Sequence, residues 1–222
     1  KKFLYFILLV CLNTAGLSQN KQNGELTDTK KIDSLKHVLA IAKDDSSRVW
    51  VMGLIGFYYE VVNIDSSLKY TLNALALARQ RGDIFGETVL MTNWGSALRQ
   101  QGKLAESLTV LFKSLEIAGA NNLSPEIART SRRLADVYID LENFPKAIEY
   151  LLQALKIDEA NENKKSATLD HSTLGYTYEK INKLDSASFH TDKAFQQRNF
   201  TPDYNHYLYQ VMGNIQEKKG NY

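Results

Sequence analysis

Large apolar and small side chains recur along this chain with a period of forty residues. When the sequence is shifted by that period, successive segments align, and each aligned column keeps one chemical type. The columns are Leu54, Trp94, Leu134 and Leu174; Ile55, Gly95, Ala135 and Gly175; Tyr58, Leu98, Tyr138 and Tyr178; Ser67, Ser107, Ala147 and Ala187; and Ala74, Ser114, Ala154 and Ala194. Several columns in one phase indicate internal repetition, which decides the fold class before single helices are assigned.

The spacing within one copy predicts two helices. Leu134 and Tyr138 are four positions apart, so they lie on the same face of an α-helix. Ala147 and Ala154 lie two turns apart on a second helix, and their small side chains allow a close approach to neighbouring helices. Each copy is therefore predicted to be a helical hairpin, and the chain an all-α solenoid, an α-α superhelix of stacked hairpins.

Turn residues mark the ends of these helices. Gly82, Gly102 and Gly119 fall where helices should stop, and we expect each of them to take a left-handed conformation there. The segment 124–126, Ser-Pro-Glu, predicts a helix start with a capping Ser124 hydroxyl and a proline in the first turn. The segment 44–47, Asp-Asp-Ser-Ser, is a further candidate for a capped start.

The columns resemble the tetratricopeptide repeat, whose pattern of large apolar, small, aromatic, small and small residues has five matching positions in the third copy. These are Leu134, Ala135, Tyr138, Ala147 and Ala154. The resemblance covers about Ser47 to Tyr222 and differs in period, since the standard repeat has about 34 residues. We expect longer helices or longer connections as a result. The first copy matches least well, because Ile55 stands where a small residue is usual.

The first residues have the layout of a secretory signal, because Lys1-Lys2 precede an apolar run that ends in small and polar residues. Gly16 and Ser18 suit the cleavage positions; an uncleaved anchor is the alternative, and a bulky Val10 disfavours a lipoprotein at Cys11. The predicted organisation is a signal peptide over 1–18, a linker over 19–27, an N-terminal helix over 28–43 and the solenoid over 48–222, with repeats over 48–87, 88–127, 128–167 and 168–205 and a partial repeat over 206–222. We expect a partner helix beyond Tyr222, and therefore a longer polypeptide, because a solenoid normally closes with a capping helix.

Charge and motif content narrow the function. Without Lys1 and Lys2, the 27 Lys and Arg residues fall to 25 and equal the 25 Asp and Glu residues, so nucleic acid is an unexpected partner. Cys11 is the only cysteine in the sequence. The sequence has no HExxH, GxSxG, GxGxxG or paired-cysteine motif, and we therefore expect no catalytic, cofactor or metal site. The histidines are scattered, and each is interpreted as a half-exposed helix residue: His37, His171, His190 and His206.

One stripe of the first helix of each hairpin points away from the hairpin core. In the third copy, at 100° per residue, this stripe holds Arg129, Arg132, Asp136 and Asp140. The resemblance implies that the stripe lines a concave groove that receives peptides or partner helices. The predicted partner-binding residues are Met52, Tyr59, Thr92, Ser96, Arg99, Arg129, Arg132, Asp136, Ser172, Tyr176 and Lys180. The alternative is a solvated face on which Arg132 and Asp136 form an ordinary i,i+4 pair.

These features favour a non-enzymatic module that binds a protein or peptide segment, exported to the periplasm or cell envelope. The arrangement resembles the N-terminal regions of sensor histidine kinases and helix-turn-helix regulators, which implies the sensing or interaction part of a membrane-bound bacterial signalling protein. The alternative is a self-contained exported scaffold that assembles envelope proteins. A kinase core would lie in a portion beyond Tyr222. If an acidic segment binds, replacing both Arg129 and Arg132 with Glu is predicted to abolish binding without loss of helicity.

Overall fold

The computed structural model of the chain describes residues 21–201 and 205–220. Within these residues all regular structure is helical, which confirms the predicted all-α class. The helices are α1 (Lys21–Ile41), α2 (Asp45–Tyr59), α3 (Ile64–Gln80), α4 (Ile84–Gln100), α5 (Leu104–Ala120), α6 (Ser124–Asp140), α7 (Phe144–Ala160), α8 (Lys164–Lys180), α9 (Leu184–Gln196) and α10 (Asn205–Lys219), with a short 3-10 turn at Arg198–Phe200. None of the helices within these ranges is long and apolar enough to cross a membrane.

The helices pack as successive antiparallel hairpins, so the predicted solenoid is confirmed. The hairpins are formed by α2 with α3, α4 with α5, α6 with α7 and α8 with α9, and each packs on the next. The first helices also contact one another directly, α2 with α4, α4 with α6 and α8 with α10. The predicted columns form the core, since Leu134, Leu174, Ala147 and Ala154 are all fully buried. A continuous row of first helices therefore makes one wall of the molecule.

A glycine on the first helix lets the second helix of the hairpin approach closely. A Cβ atom on Gly175 would lie 2.3 Å from Thr191 Oγ1, a distance at which the neighbouring side chain would have to move. In the first copy this role passes to Gly56, where an added Cβ would lie 2.4 Å from Thr71 Oγ1. Ile55, the poorest match to the repeat, is fully buried in a cluster with α1. The preceding helix therefore explains why a large residue stands there.

The six turns that follow α3, α4, α5, α6, α7 and α8 share one geometry, in which one residue lies in the left-handed region. Gly82 and Gly102 take this role with φ of 64° and 74°, as predicted. The prediction for Gly119 is wrong, because this residue lies inside α5 and Asn122 takes the left-handed conformation with φ of 54°. The reason is that α5 ends at Ala120, one residue beyond Gly119. In these turns the left-handed residue is the second residue after the end of the helix, which here is Asn122. The later turns place Glu142, Glu162 and Asn182 in the same region.

Five helix starts, those of α2, α3, α4, α7 and α8, are capped by an Asp or Asn side chain. Asp44 Oδ1 accepts the Ser47 N–H at 2.9 Å, which confirms the candidate cap before α2. The predicted Ser124 cap is wrong: Ser124 is already helical, and the preceding residue, Leu123, makes no side-chain capping bond. Pro125 lies in the first turn of α6 as expected, where a missing N–H costs no hydrogen bond.

The helix boundaries differ from the predicted segments at the N-terminal side. α1 begins at Lys21, so most of the predicted linker over 19–27 is helical, and the N-terminal helix is longer than the predicted 28–43. The hairpins span residues 45–80, 84–120, 124–160 and 164–196, and each therefore begins a few residues before its predicted repeat. In the partial repeat, α10 buries Leu208, Val211 and Ile215. The predicted signal peptide over 1–18 lies outside the described residues.

Candidate functional site

An open cleft crosses the first helices of three successive hairpins. It lies between α2 and α4, and Arg129 of α6 closes one side. Val49, Val89 and Arg129 occupy the same position in three consecutive copies of the repeat, so stacking brings one sequence column together around the cleft. The cleft has a volume of about 150 Å³. It is thus a small concave feature on the wall that the first helices form.

Exposed aromatic side chains make the rim of this cleft. Trp50 and Phe57 of α2 line it, although each leaves more than two fifths of its surface exposed. The Trp50 ring also lies 6.1 Å from the Phe85 ring, centroid to centroid, on the first turn of α4. Large apolar side chains that stay exposed beside a cavity mark a surface suited to binding. We refer to the feature lined by Val49, Trp50, Phe57, Val89, Asn93 and Arg129 as the aromatic cleft.

Arg129 supplies the positive charge of the aromatic cleft. Its Nε atom lies 3.7 Å from Glu126 Oε2, which is beyond hydrogen-bond distance, and its side chain is 43% exposed. Burial raises the pKa of the Glu126 carboxyl, and Arg129 opposes this shift only partly. The other charged residue lining the cleft, Asp83, accepts the Gly86 N–H at 2.9 Å and caps α4. The guanidinium of Arg129 therefore has donors that can reach a ligand.

Arg132, one turn further along α6, has a structural role. Its guanidinium donates to Asp158 of α7 and, at 2.6 Å from Nε, to Asp170 Oδ1 of α8. Both carboxylates are almost completely buried. Burial raises the pKa of the Asp170 carboxyl to about 7, and the Arg132 hydrogen bond opposes the rise. The alternative pair of Arg132 with Asp136 is wrong, since Arg132 bonds to other helices and Asp136 accepts from Arg133 at 3.1 Å.

Two predicted residues of α4 are buried between helices. Thr92 Oγ1 lies 3.0 Å from Ser114 Oγ and 2.9 Å from Thr130 Oγ1, which forms a hydroxyl cluster between α4, α5 and α6. Ser96 is 3% exposed and donates to Glu60 Oε1 at 2.6 Å. The same oxygen accepts from Gln100 Nε2 at 2.6 Å. Both hydroxyls are therefore used in holding adjacent first helices together.

Ion pairs and packing account for three more predicted residues. Arg99 donates to Asp140 Oδ2 at 2.6 Å and so joins α4 to α6 along the wall. Met52 is half-buried and packs against a core cluster. Tyr59 stacks on Tyr70 of α3 at 5.8 Å between ring centroids, away from the other candidates.

The last three candidates lie together on α8. The Tyr176 ring is 5.7 Å from that of Tyr207 on α10, and Lys180 Nζ lies 4.9 Å from the Tyr176 centroid. Ser172 is buried, and its hydroxyl has no hydrogen-bond partner within the part of the chain that the structure describes. The wall therefore continues as a polar and aromatic surface beyond the aromatic cleft.

Sequence reasoning missed several residues. Trp50, Phe57 and Phe85 were not assigned to the site, although large aromatic residues beside the stripe were a usable signal. The interpretation of His171 and His190 as half-exposed is wrong, because both are buried and their Nδ1 atoms lie 2.9 Å apart. Burial lowers the pKa of both, that of His190 to about 4. Among the described residues, no group of three or more His, Cys, Asp or Glu is placed to hold a metal ion.

Comparison with known proteins identifies the repeat. Residues 87–160 match the family described as tetratricopeptide repeat. Comparison with curated proteins gave no significant match. The matched residues 87–160 cover most of the α4–α5 hairpin and the whole α6–α7 hairpin.

Several solved structures share the fold at low sequence identity. BtubC (BKLC) from P. vanneervenii aligns with a TM-score of 0.72 and 14% identity, over 92% of this chain and 86% of that one. A Rap protein complexed with competence and sporulation factor aligns with a TM-score of 0.74 and 20% identity, over 84% of this chain and 55% of that one. A signal transduction ATPase with a tetratricopeptide repeat sensor, from Pyrococcus horikoshii, aligns with a TM-score of 0.68 and 18% identity, over 86% of this chain and 30% of that one. These similarities show a common fold.

Proposed function

Because the chain belongs to the tetratricopeptide repeat family through its residues 87–160, we propose that its first helices bind a peptide or an extended segment of a partner protein. Tetratricopeptide repeats indicate a protein-interaction module. The observation that carries the proposal is the aromatic cleft, where Val49, Val89 and Arg129 of three successive hairpins surround an open space. A stacked array offers such a surface because each repeat presents the same face to one side.

The module acts by binding and not by catalysis. Several charged residues of the wall are held in pairs that join helices, such as Arg132 with Asp170 and Arg99 with Asp140. Such pairs hold the first helices at fixed spacing. A fixed wall lowers the entropy cost of holding an extended ligand, which favours recognition.

The module is also proposed to be the extracytoplasmic sensing part of a bacterial membrane-bound signalling protein. The layout of residues 1–18 supports export. A sensing role is supported by the signal transduction ATPase from Pyrococcus horikoshii, which has a tetratricopeptide repeat sensor, and by the Rap protein complexed with a factor. This chain spans 55% of that Rap protein and 30% of that ATPase, so each comparison covers only part of the other protein.

Selection from a random peptide display library tests the binding function. We expect the purified chain to enrich sequences whose binding is lost in Phe57→Ser, which removes a ring from the aromatic cleft. Phe112→Ser is the matched control, because Phe112 is similarly exposed but lies on α5, outside the cleft. A library that yields no specific binder would overturn the proposed function. If Phe57→Ser and Phe112→Ser lose binding to the same extent, the aromatic cleft is not the binding site.

Export has a separate test. The chain is fused to a phosphatase reporter that is active only outside the cytoplasm, with and without residues 1–18. We expect reporter activity only when residues 1–18 are present. Equal activity of the two fusions would contradict the extracytoplasmic location and leave the binding function standing.

A further inference from the structure

We propose that the aromatic cleft takes one large apolar side chain of an extended partner segment, and that Arg129 pairs with an Asp or Glu side chain of the same segment. This inference rests on the proposed function and names the chemistry of the partner. It identifies the segment by two groups at a fixed spacing, one apolar and one acidic.

The size of the aromatic cleft indicates which apolar side chain of the partner segment it can hold. Its volume of about 150 Å³ is that of a cavity that holds one benzene-sized molecule. The lining supplies matching chemistry, because Val49 and Val89 form the floor and the rings of Trp50 and Phe57 stand at the rim. A Phe, Leu or Met side chain of the partner would fill a space of this size and would cover the exposed rings.

The positive charge of Arg129, at the edge of the aromatic cleft, favours an acidic side chain in the partner segment. Of its lining residues only Arg129 and Asp83 are charged, and the Asp83 carboxylate is occupied in capping α4. Arg129 is the opposite case, since its nearest carboxylate oxygen lies 3.7 Å away without a hydrogen bond. A partner carboxylate can accept two parallel N–H bonds from a guanidinium, which is the geometry that arginine favours. The guanidinium of Arg129 therefore complements an acidic side chain of the partner.

The acidic group is a side chain within the segment and not a chain terminus. The wall continues beyond Arg129 along α6 and α8, where Tyr176 and Lys180 extend the surface. On the other side Trp50 and Phe85 extend it across α2 and α4. Because the wall extends past the cleft along α6 and α8 and also across α2 and α4, a bound chain can continue over it on either side.

The sequences enriched by display provide the test, with the full chain and synthetic peptides that are acetylated and amidated at their ends. We expect a shared large apolar residue and an Asp or Glu at constant spacing. Arg129→Gln should weaken binding of such a peptide at least about tenfold. Arg133→Gln is the matched control, because it removes the same charge four residues further along α6, outside the cleft lining. We expect binding to that variant to stay within about twofold of wild type.

A double-mutant cycle separates direct pairing from a structural effect. A peptide in which the acidic residue is replaced by its amide should bind the Arg129→Gln variant and the wild-type protein almost equally, because this peptide cannot form the ion pair with Arg129. The inference is overturned if the two substitutions act independently. It is also overturned if the enriched sequences lack the apolar and acidic pair, or if only peptides with a free C-terminal carboxylate bind; in these cases the proposed function survives. A library without binders overturns both.

Discussion

Replacing Arg132 with Met should cost the protein several kilocalories of stability, because two buried carboxylates would lose their shared cation. The side chains of Asp158 and Asp170 are 5% and 0% exposed, so water cannot replace the guanidinium. Breaking a buried ion pair by removing one partner costs about 3–5 kcal/mol. Met keeps most of the packing of the arginine stem, so the loss reports mainly on charge. For a chain of this length, the loss corresponds to a fall in melting temperature of about 6–20 °C.

Urea unfolding followed by circular dichroism at pH 7 and pH 5 measures this loss. The loss should shrink at pH 5, because the pKa of Asp170 is already raised to about 7 and protonation neutralises this carboxylate, which the substitution leaves unpaired. Arg133→Met is the control, since Arg133 pairs with Asp136 within α6 on a partly exposed surface and should lose no more than about 1 kcal/mol. Equal losses for the two variants, or an Arg132→Met loss independent of pH, would refute the structural role. The Arg129 and Arg132 double replacement predicted from the sequence would therefore disturb folding as well as binding.

Further variants probe the hairpins. Since the His190 pKa falls from 6.5 to about 4 on folding, its contribution is present above pH 6.5 and lost as the pH falls toward 4. At about 1.4 kcal/mol per pKa unit, the free energy of unfolding falls by roughly 3 kcal/mol over this pH range. The stability of His190→Phe should therefore depend less on pH than that of the wild type. If the pH dependence of stability is unchanged in this variant, His190 is not its cause. Gly175→Ala should lower the melting temperature, because the added Cβ would collide with Thr191 of α9. Gly213→Ala should raise the stability by about 0.5–1 kcal/mol, because open space surrounds this position of α10. If Gly175→Ala is the more stable of the two variants, the close packing of α8 on α9 is contradicted. Glu142→Gly should stabilise by up to about 1 kcal/mol, since φ is 54° there, and a lower urea midpoint would count against backbone strain.

The fold could be predicted from the sequence because its information is local and repeated. Leu134, Leu174 and Ala154 lie in columns whose spacing gives both the helical period and the hairpin, and all are fully buried. The left-handed turns were predicted only at glycines, and Asn122 was missed because asparagine also tolerates this conformation.

The candidate site could be predicted only in part. Arg129 was assigned to the partner-binding stripe from the repeat alone, and the structure places it at the aromatic cleft with Val49 and Val89, which hold the same position in the two preceding copies. Trp50 and Phe57 were missed because the pattern does not say which aromatic side chains stay exposed.

The sequence by itself determined the helices and their pairing into hairpins, since these follow from a periodicity that each copy repeats. Only the tertiary structure decided which wall residues are free. Arg129 and Arg132 lie three positions apart on one helix, yet Arg132 meets Asp158 and Asp170 from two other helices. The physical reason is that pairing depends on distances between residues far apart in the chain, and on burial, which changes the energy of an unpaired charge.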